Sequence, residues 1–120
     1  MCIRDRLSPV VTPERVLELQ QTVNEVHIAE PLLDYVQQLL SFSRTDSRFM
    51  HGLSPRAGLG LLGAARAWAL IEGRGFVVPE DIQAVLPAVT GHRLNLTDDT
   101  LADAERKAAI LIENCDPLSR

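Results

Sequence analysis

Apolar residues recur every three or four positions along most of this chain, a spacing that places them on one face of an α-helix. The pattern predicts four main helices, at about 13–26, 30–44, 55–72 and 79–90, and a C-terminal helix that ends near 113. Capping residues precede three of them: Thr12 before the first, Ser54 before the third, and Thr97 with the following aspartates before the last. The expected fold class is therefore all-α, a small helical bundle of four main helices plus a C-terminal helix.

The third predicted helix is apolar on nearly every side, which is typical of a helix in the middle of a bundle. The residues expected inside the bundle are Leu62, Ala65, Trp68 and Ala69, with Arg66 reaching an edge. Three glycines in its first half each cost about 1 kcal/mol of helix propensity relative to alanine. Gly58, Gly60 and Gly63 therefore predict a close contact with a neighbouring helix.

The composition is that of an ordinary globular domain: 120 residues, of which 46% are hydrophobic and 23% are charged. Aromatic residues make up only 4%, so the core must be aliphatic, which favours helices over a β-sandwich. The net charge of −4 gives no support for binding to a nucleic-acid backbone. Because no apolar run approaches the roughly 18 residues that cross a bilayer, we expect no membrane insertion.

Cysteine and histidine usage argues against two further kinds of site. Cys2 and Cys115 lie at opposite ends of the chain, which predicts no disulfide and a cytoplasmic setting. The three histidines, His27, His51 and His92, are too scattered, and too short of cysteine neighbours, to form a metal site. His92 and Arg93 follow the fourth helix, where cations complement the negative end of the helix dipole, and we interpret them as structural or interfacial.

One stretch carries candidate chemistry, the residues from His51 to Ala57 that lead into the third helix. Ser54 is a good helix N-cap, and Pro55 fits the first helical position because its missing N–H costs nothing there. Arg56 then lies in the first turn, where the positive end of the helix dipole disfavours a cation by roughly 0.3–1 kcal/mol. Such a helix start offers a dipole, free N–H groups and a forked guanidinium to one anion, such as phosphate. The alternative is a solvated Arg56 paired with a nearby carboxylate.

The segment GLSPRA at 52–57 resembles the sensor-2 motif of MoxR-type AAA+ ATPases and is similar to the same stretch in magnesium-chelatase ATPase subunits. Three further segments resemble the MoxR lid in the same order: LLDYV at 32–36, GRGFVVPEDI at 73–82 and GHRL at 91–94. Leu53 departs from the small residue usual in the family. The resemblance implies an AAA+ lid at 7–96, followed by a C-terminal helix and tail at 97–120. Residues 1–6 resemble a translated sequencing adapter, and we treat them as a non-native artefact.

The resemblance also implies a function for the parent protein, a bacterial cytoplasmic ATPase that couples ATP hydrolysis to remodelling or maturation of partner complexes. Arg56 is then the sensor-2 arginine, a catalytic and cofactor-binding residue that contacts the γ-phosphate of magnesium-bound ATP. It would act in its own subunit (in cis) or in a neighbouring one (in trans). The implied partners are an N-terminal ATPase core, further copies in a hexameric ring, and a protein with a von Willebrand factor A domain.

This chain alone lacks the other parts of an ATPase. A P-loop needs glycine-rich backbone followed by lysine and serine or threonine, and the one lysine, Lys107, lies on a predicted helix face that we interpret as solvated. We therefore expect no ATP hydrolysis by the isolated chain and at best very weak nucleotide binding, so that no cofactor stays bound to this chain alone. One alternative is a stand-alone helical protein-interaction module with no nucleotide role. Another is a DNA-binding helix-turn-helix around the turn at 73–75, against which the acidic balance and the buried third helix argue.

Overall fold

The structure, a computed structural model, describes residues 8–98 and 101–118. Within these ranges five α-helices follow one another: α1 (Pro13–Glu25), α2 (Glu30–Thr45), α3 (Pro55–Ile71), α4 (Pro79–Thr90) and α5 (Ala104–Asn114). The predicted all-α fold is confirmed, and the four main helices lie close to their predicted positions. The last helix begins later than predicted because Asp103 caps it, accepting a 2.8 Å hydrogen bond from the backbone N–H of Arg106.

A tight turn joins α3 to α4, and these two helices make the most extensive helix contact in the described chain. The turn depends on Gly73, whose φ of +80° favours glycine. The N–H groups of Gly73 and Arg74 donate to carbonyls in the last turn of α3, which satisfies that helix end. Arg74 also pairs with the buried carboxylate of Asp81, which accepts the N–H of Val78 and so closes the first turn of α4.

The α4–α5 contact corrects one sequence interpretation. Lys107 is only 6% exposed, so it does not belong to a solvated face. Its Nζ donates a 2.8 Å hydrogen bond to the carbonyl of Gly91 at the end of α4, where free carbonyls carry partial negative charge. A Cβ on Gly91 would overlap the Cβ of Ala104, so glycine permits this close approach. The sequence places Lys107 among charged residues that are exposed, and nothing in that local pattern indicates that Lys107 alone is buried.

The burial of α3 also differs from the prediction. Ala65 and Ala69 are fully buried as expected, but the buried leucine of this helix is Leu61, whereas Leu62 is only partly buried. Trp68 is 40% exposed and is not a core residue. The helix buries one stripe with a four-residue spacing and leaves apolar side chains open on its other sides, among them Leu59 and Ile71 at 71% and 76% exposure. Composition could not show which sides the neighbouring helices cover.

The three glycines of α3 have different surroundings. A Cβ on Gly58 would lie 2.9 Å from Cδ1 of Leu40 on α2, which confirms the predicted close helix contact at this position. The prediction is wrong for the other two. A Cβ on Gly60 would meet only Nη1 of Arg93, at 3.8 Å, and a Cβ on Gly63 would meet nothing within 4 Å.

Two remaining expectations concern the ends of the chain and the membrane. Residues 1–6, interpreted as an artefact, lie outside the described residues. The division at residue 97 stays a prediction, while the described α5 packs against both α2 and α4. Among the helices of residues 8–98 and 101–118, none has the length and apolar character needed to cross a membrane.

Candidate functional site

The loop between α2 and α3 is held in place by the segment that follows α4. Phe49 pairs with Leu96 in an antiparallel bridge, and the N–H of Met50 donates to the carbonyl of Asn95 at 2.9 Å. The side chains of Phe49 and Leu96 are buried, at 6% and 1% exposure. This pairing anchors the chain just before it enters α3.

Gly52 and Leu53 fasten the same loop to the end of α2. The N–H of Leu53 donates to Oγ of Ser43, and its carbonyl accepts from Nε of Arg44, both at 2.9 Å. Leu53 is only 2% exposed, so the side chain that departs from the family pattern is accommodated in the core. A Cβ on Gly52 would lie 2.6 Å from the Cα of Arg44, which makes glycine the residue that fits.

Ser54 and Pro55 begin α3 as the sequence predicts. Oγ of Ser54 accepts a 3.1 Å hydrogen bond from the N–H of Ala57, and Pro55 occupies the first helical position. Arg56 follows in the first turn and is exposed. Its guanidinium has no hydrogen-bond or ion-pair partner in the described part of the chain, so the alternative of a carboxylate-paired Arg56 finds no such carboxylate there.

An apolar groove of about 380 Å³ lies beside this helix start, between α2 and the first half of α3. Its lining residues are Leu33, Val36, Gln37, Leu40, Arg44, Pro55, Gly58, Leu59 and Leu62. Pro55 belongs to this lining and precedes Arg56 directly. The first turns of α3 therefore present both an unpaired cation and an open aliphatic surface.

Other candidate residues do not assemble into a second site. The three histidines are exposed, and the described residues contain no group of three or more His, Cys, Asp or Glu side chains that could hold a metal ion. Cys115 is buried, and burial raises the pKa of its thiol. A raised pKa opposes formation of the nucleophilic thiolate, and no basic residue adjoins Cys115 in the sequence to lower that pKa.

The side chain of Arg93, which follows α4, reaches the first half of α3. The sequence interpretation did not predict this approach. Its Nη1 donates a 3.1 Å hydrogen bond to the carbonyl of Val89 and would lie 3.8 Å from a Cβ on Gly60. Gly60 lies one helical turn after Arg56, on the same side of α3. The one sequence signal was the GHRL segment of the family resemblance, because no local pattern brings residues 56 and 93 together.

The anchoring of the loop gives a testable result. We expect Gly52→Ala to lower the free energy of unfolding by about 1–3 kcal/mol, because the added methyl overlaps backbone that cannot move aside cheaply. The control is Gly63→Ala, at an exposed helical glycine with nothing within 4 Å of a Cβ. This control should raise the free energy of unfolding by up to about 1 kcal/mol. Urea denaturation measures both, and equal effects would contradict the proposed role of Gly52.

Several known proteins resemble this chain. A family model described as the AAA lid domain matches residues 41–113. Chaperone MoxR1 of Mycobacterium tuberculosis is 38% identical over an alignment that spans 73% of this chain and 26% of the relative. The uncharacterised protein YeaC of Bacillus subtilis is 30% identical across 91% of this chain and 34% of its own length.

A crystal structure of another protein has the same fold as this chain. A protein from Cytophaga hutchinsonii, assigned as an ATPase, superposes with a TM-score of 0.79 and 25% sequence identity. The superposition covers 91% of this chain and 37% of that one. This chain therefore spans only about a quarter to just over a third of the length of these relatives. By its sequence and its helical fold, the chain belongs to the AAA lid domain family and corresponds to the C-terminal lid of a MoxR-type AAA+ ATPase.

Proposed function

We propose that this lid serves a MoxR-like ATPase that couples ATP hydrolysis to the remodelling or maturation of partner complexes, with Arg56 as its sensor-2 arginine. The supporting observation is the environment of Arg56. It is exposed in the first turn of α3 and unpaired among the described residues, at a helix end whose dipole disfavours a cation. The position contributes nothing to the stability of the lid. An anion supplied from outside the lid explains why an arginine stands there.

The residues of the lid fit the phosphate end of ATP. Arg56 has a free guanidinium, and the loop before it is anchored to α2 and to the segment after α4. When bound, magnesium–ATP supplies the phosphoryl group that is transferred to water. Arg56 binds the γ-phosphate and stabilises the charge that develops on its oxygens during transfer. The anchored loop fixes the backbone of Arg56, so only its side chain has to be ordered when the nucleotide arrives.

The proposal assigns the P-loop and the magnesium site to an N-terminal ATPase core outside this chain. Copies of the whole protein assemble in a hexameric ring in the bacterial cytoplasm, and Arg56 serves a nucleotide in cis or in trans. A protein with a von Willebrand factor A domain is the proposed partner. The names of the relatives, among them a chaperone, support a remodelling role.

A specific observation favours a second candidate, a protein-interaction module without a nucleotide role. The groove between α2 and α3, which Leu59 lines, and the exposed Ile71 at the other end of α3 offer apolar surfaces for another protein. Neither surface needs a nucleotide to form. This candidate predicts that substitutions in the groove, but not at Arg56, alter the activity of the parent protein.

A chimera separates the two candidates. Residues 8–118 replace the matching segment of Chaperone MoxR1, and ATP turnover of the chimera is compared with that of the isolated 120-residue chain. The lid proposal predicts turnover by the chimera and none by the isolated chain, because one arginine cannot replace a P-loop and a magnesium site. Two results would contradict it: turnover by the isolated chain that a substitution in this chain abolishes, or a folded, ATP-binding chimera without turnover.

A further inference from the structure

Arg56 on α3 and Arg93, in the turn that follows α4, lie near one side of α3. Nη1 of Arg93 would lie 3.8 Å from a Cβ on Gly60. Since residues four apart on a helix have Cβ atoms about 5–6 Å apart, this nitrogen lies within roughly 10 Å of the Cβ of Arg56. Both arginines are exposed, so an anion from solvent can reach each of them.

The charge of this pair is not compensated within the described chain. Four other arginines have carboxylate partners: Arg15, Arg48, Arg74 and Arg106. Arg93 donates only to the carbonyl of Val89, through Nη1, and Arg56 has no acceptor at all in residues 8–98 and 101–118. Like charges repel each other, and an anion bound between the two arginines would relieve that repulsion.

Gly60 adds an independent observation. A glycine inside a helix costs about 1 kcal/mol relative to alanine, and close helix packing does not account for it here. The nearest atom to a Cβ at this position is the Arg93 nitrogen itself. A longer side chain at position 60 would lie against the Arg93 guanidinium and one turn from Arg56, whereas glycine leaves that space open.

We propose that Arg56 and Arg93 together bind the polyphosphate chain of a nucleoside triphosphate, each contacting a different phosphate across the gap above Gly60. This inference rests on the proposed function and extends it from one phosphate-binding arginine to two. A polyphosphate fits because its negative charges are spread along a chain and can reach both guanidinium groups across a gap, while a single phosphate offers its charge at one point. The hydrogen bond from Arg93 to Val89 holds the second guanidinium in place beside α3.

Titration of the 120-residue chain with inorganic triphosphate and with inorganic phosphate tests the pair without any ATPase activity. We expect triphosphate to shift the NMR signals of residues 55–58 and of the Arg93 side chain, and to bind more tightly than phosphate. Arg93→Ala should weaken triphosphate binding about two- to fivefold, the range for exposed ion pairs, and should weaken phosphate binding less. Arg93→Lys should retain part of the affinity, and the control Arg15→Ala should retain all of it.

A matched pair of glycine substitutions tests the gap itself. Gly60→Glu places a carboxylate beside both arginines and should weaken triphosphate binding about two- to fivefold. Gly63→Glu adds the same charge to the same helix, at an exposed position with open space, and should have a smaller effect. The two variants carry equal net charge, so a larger effect at position 60 reports on the local gap.

The outcomes separate this inference from the proposed function. If Arg93→Ala leaves both triphosphate affinity and its preference over phosphate unchanged, Arg93 only caps α4 and the inference fails. If Arg56→Ala weakens triphosphate binding in the same experiment, that result would still support the proposed function. If triphosphate shifts no signal near Arg56 or Arg93, the inference is also overturned, and the chimera's turnover decides the proposed function alone.

Discussion

Replacing Arg56 with alanine in the chimera should lower ATP turnover by a factor of roughly 100 to 1,000, the loss that accompanies removal of one charge-stabilising donor. The same substitution should leave the free energy of unfolding of the 120-residue chain unchanged or raise it by up to about 1 kcal/mol. The reason is electrostatic: the exposed guanidinium has no partner in the described chain and lies at the positive end of the α3 dipole. Steady-state turnover and urea denaturation measure the two effects.

Two further variants sharpen this test. Arg56→Lys keeps the charge but lacks the two-pronged guanidinium, so it should restore turnover only in part. Arg15→Ala removes an exposed arginine of α1 that pairs with Glu18 and should leave turnover unchanged. If Arg56→Ala instead unfolds the lid while each folded molecule keeps full turnover, Arg56 is a structural residue and the proposed role is wrong.

Leu61→Ala should lower the free energy of unfolding by about 2–5 kcal/mol, the usual range for truncation of a buried leucine. Leu61 is 0% exposed and lies in the core between α3 and its neighbours, so the lost methyl groups leave a cavity. Because a domain of this size is stabilised by only about 5–15 kcal/mol, the substitution removes a large part of that stability. Urea denaturation of the 120-residue chain measures it.

Leu62→Ala is the matched control for this prediction. It removes the same atoms from the next position of the same helix, but Leu62 is partly exposed at the groove. A smaller loss, of about 1–2 kcal/mol, is expected there, since this side chain stays partly in contact with water in the folded state. A loss at Leu62 equal to or larger than that at Leu61 would show that the sequence interpretation of α3, and not the structure, has the buried face right.

Local chemistry explains why the helix positions and starts were predictable. Thr12 and Ser54 each accept a hydrogen bond from an N–H in the first turn of the following helix, a contact that needs only residues three apart. Gly73 ends α3 through its own backbone conformation. These features involve neighbours in the chain, so the pattern of residues carries them directly.

Burial and pairing were less predictable because they depend on residues far apart in the chain. Lys107 contacts Gly91, sixteen positions earlier, and this contact turns a charged residue into a buried helix cap. Trp68 is exposed because the helices that contact α3 cover other sides of it.

The candidate site also combines features that depend on sequence neighbours with features that depend on distant contacts. The sequence by itself determined that Arg56 stands in the first turn of a capped helix, since Ser54, Pro55 and the following apolar run specify this through local geometry and hydrogen bonding. Only the tertiary structure decided that Arg56 has no described carboxylate partner, that Gly52 fits against α2, and that Arg93 lies near Gly60. Contacts between distant residues depend on how the helices pack, and helix periodicity alone does not specify that packing.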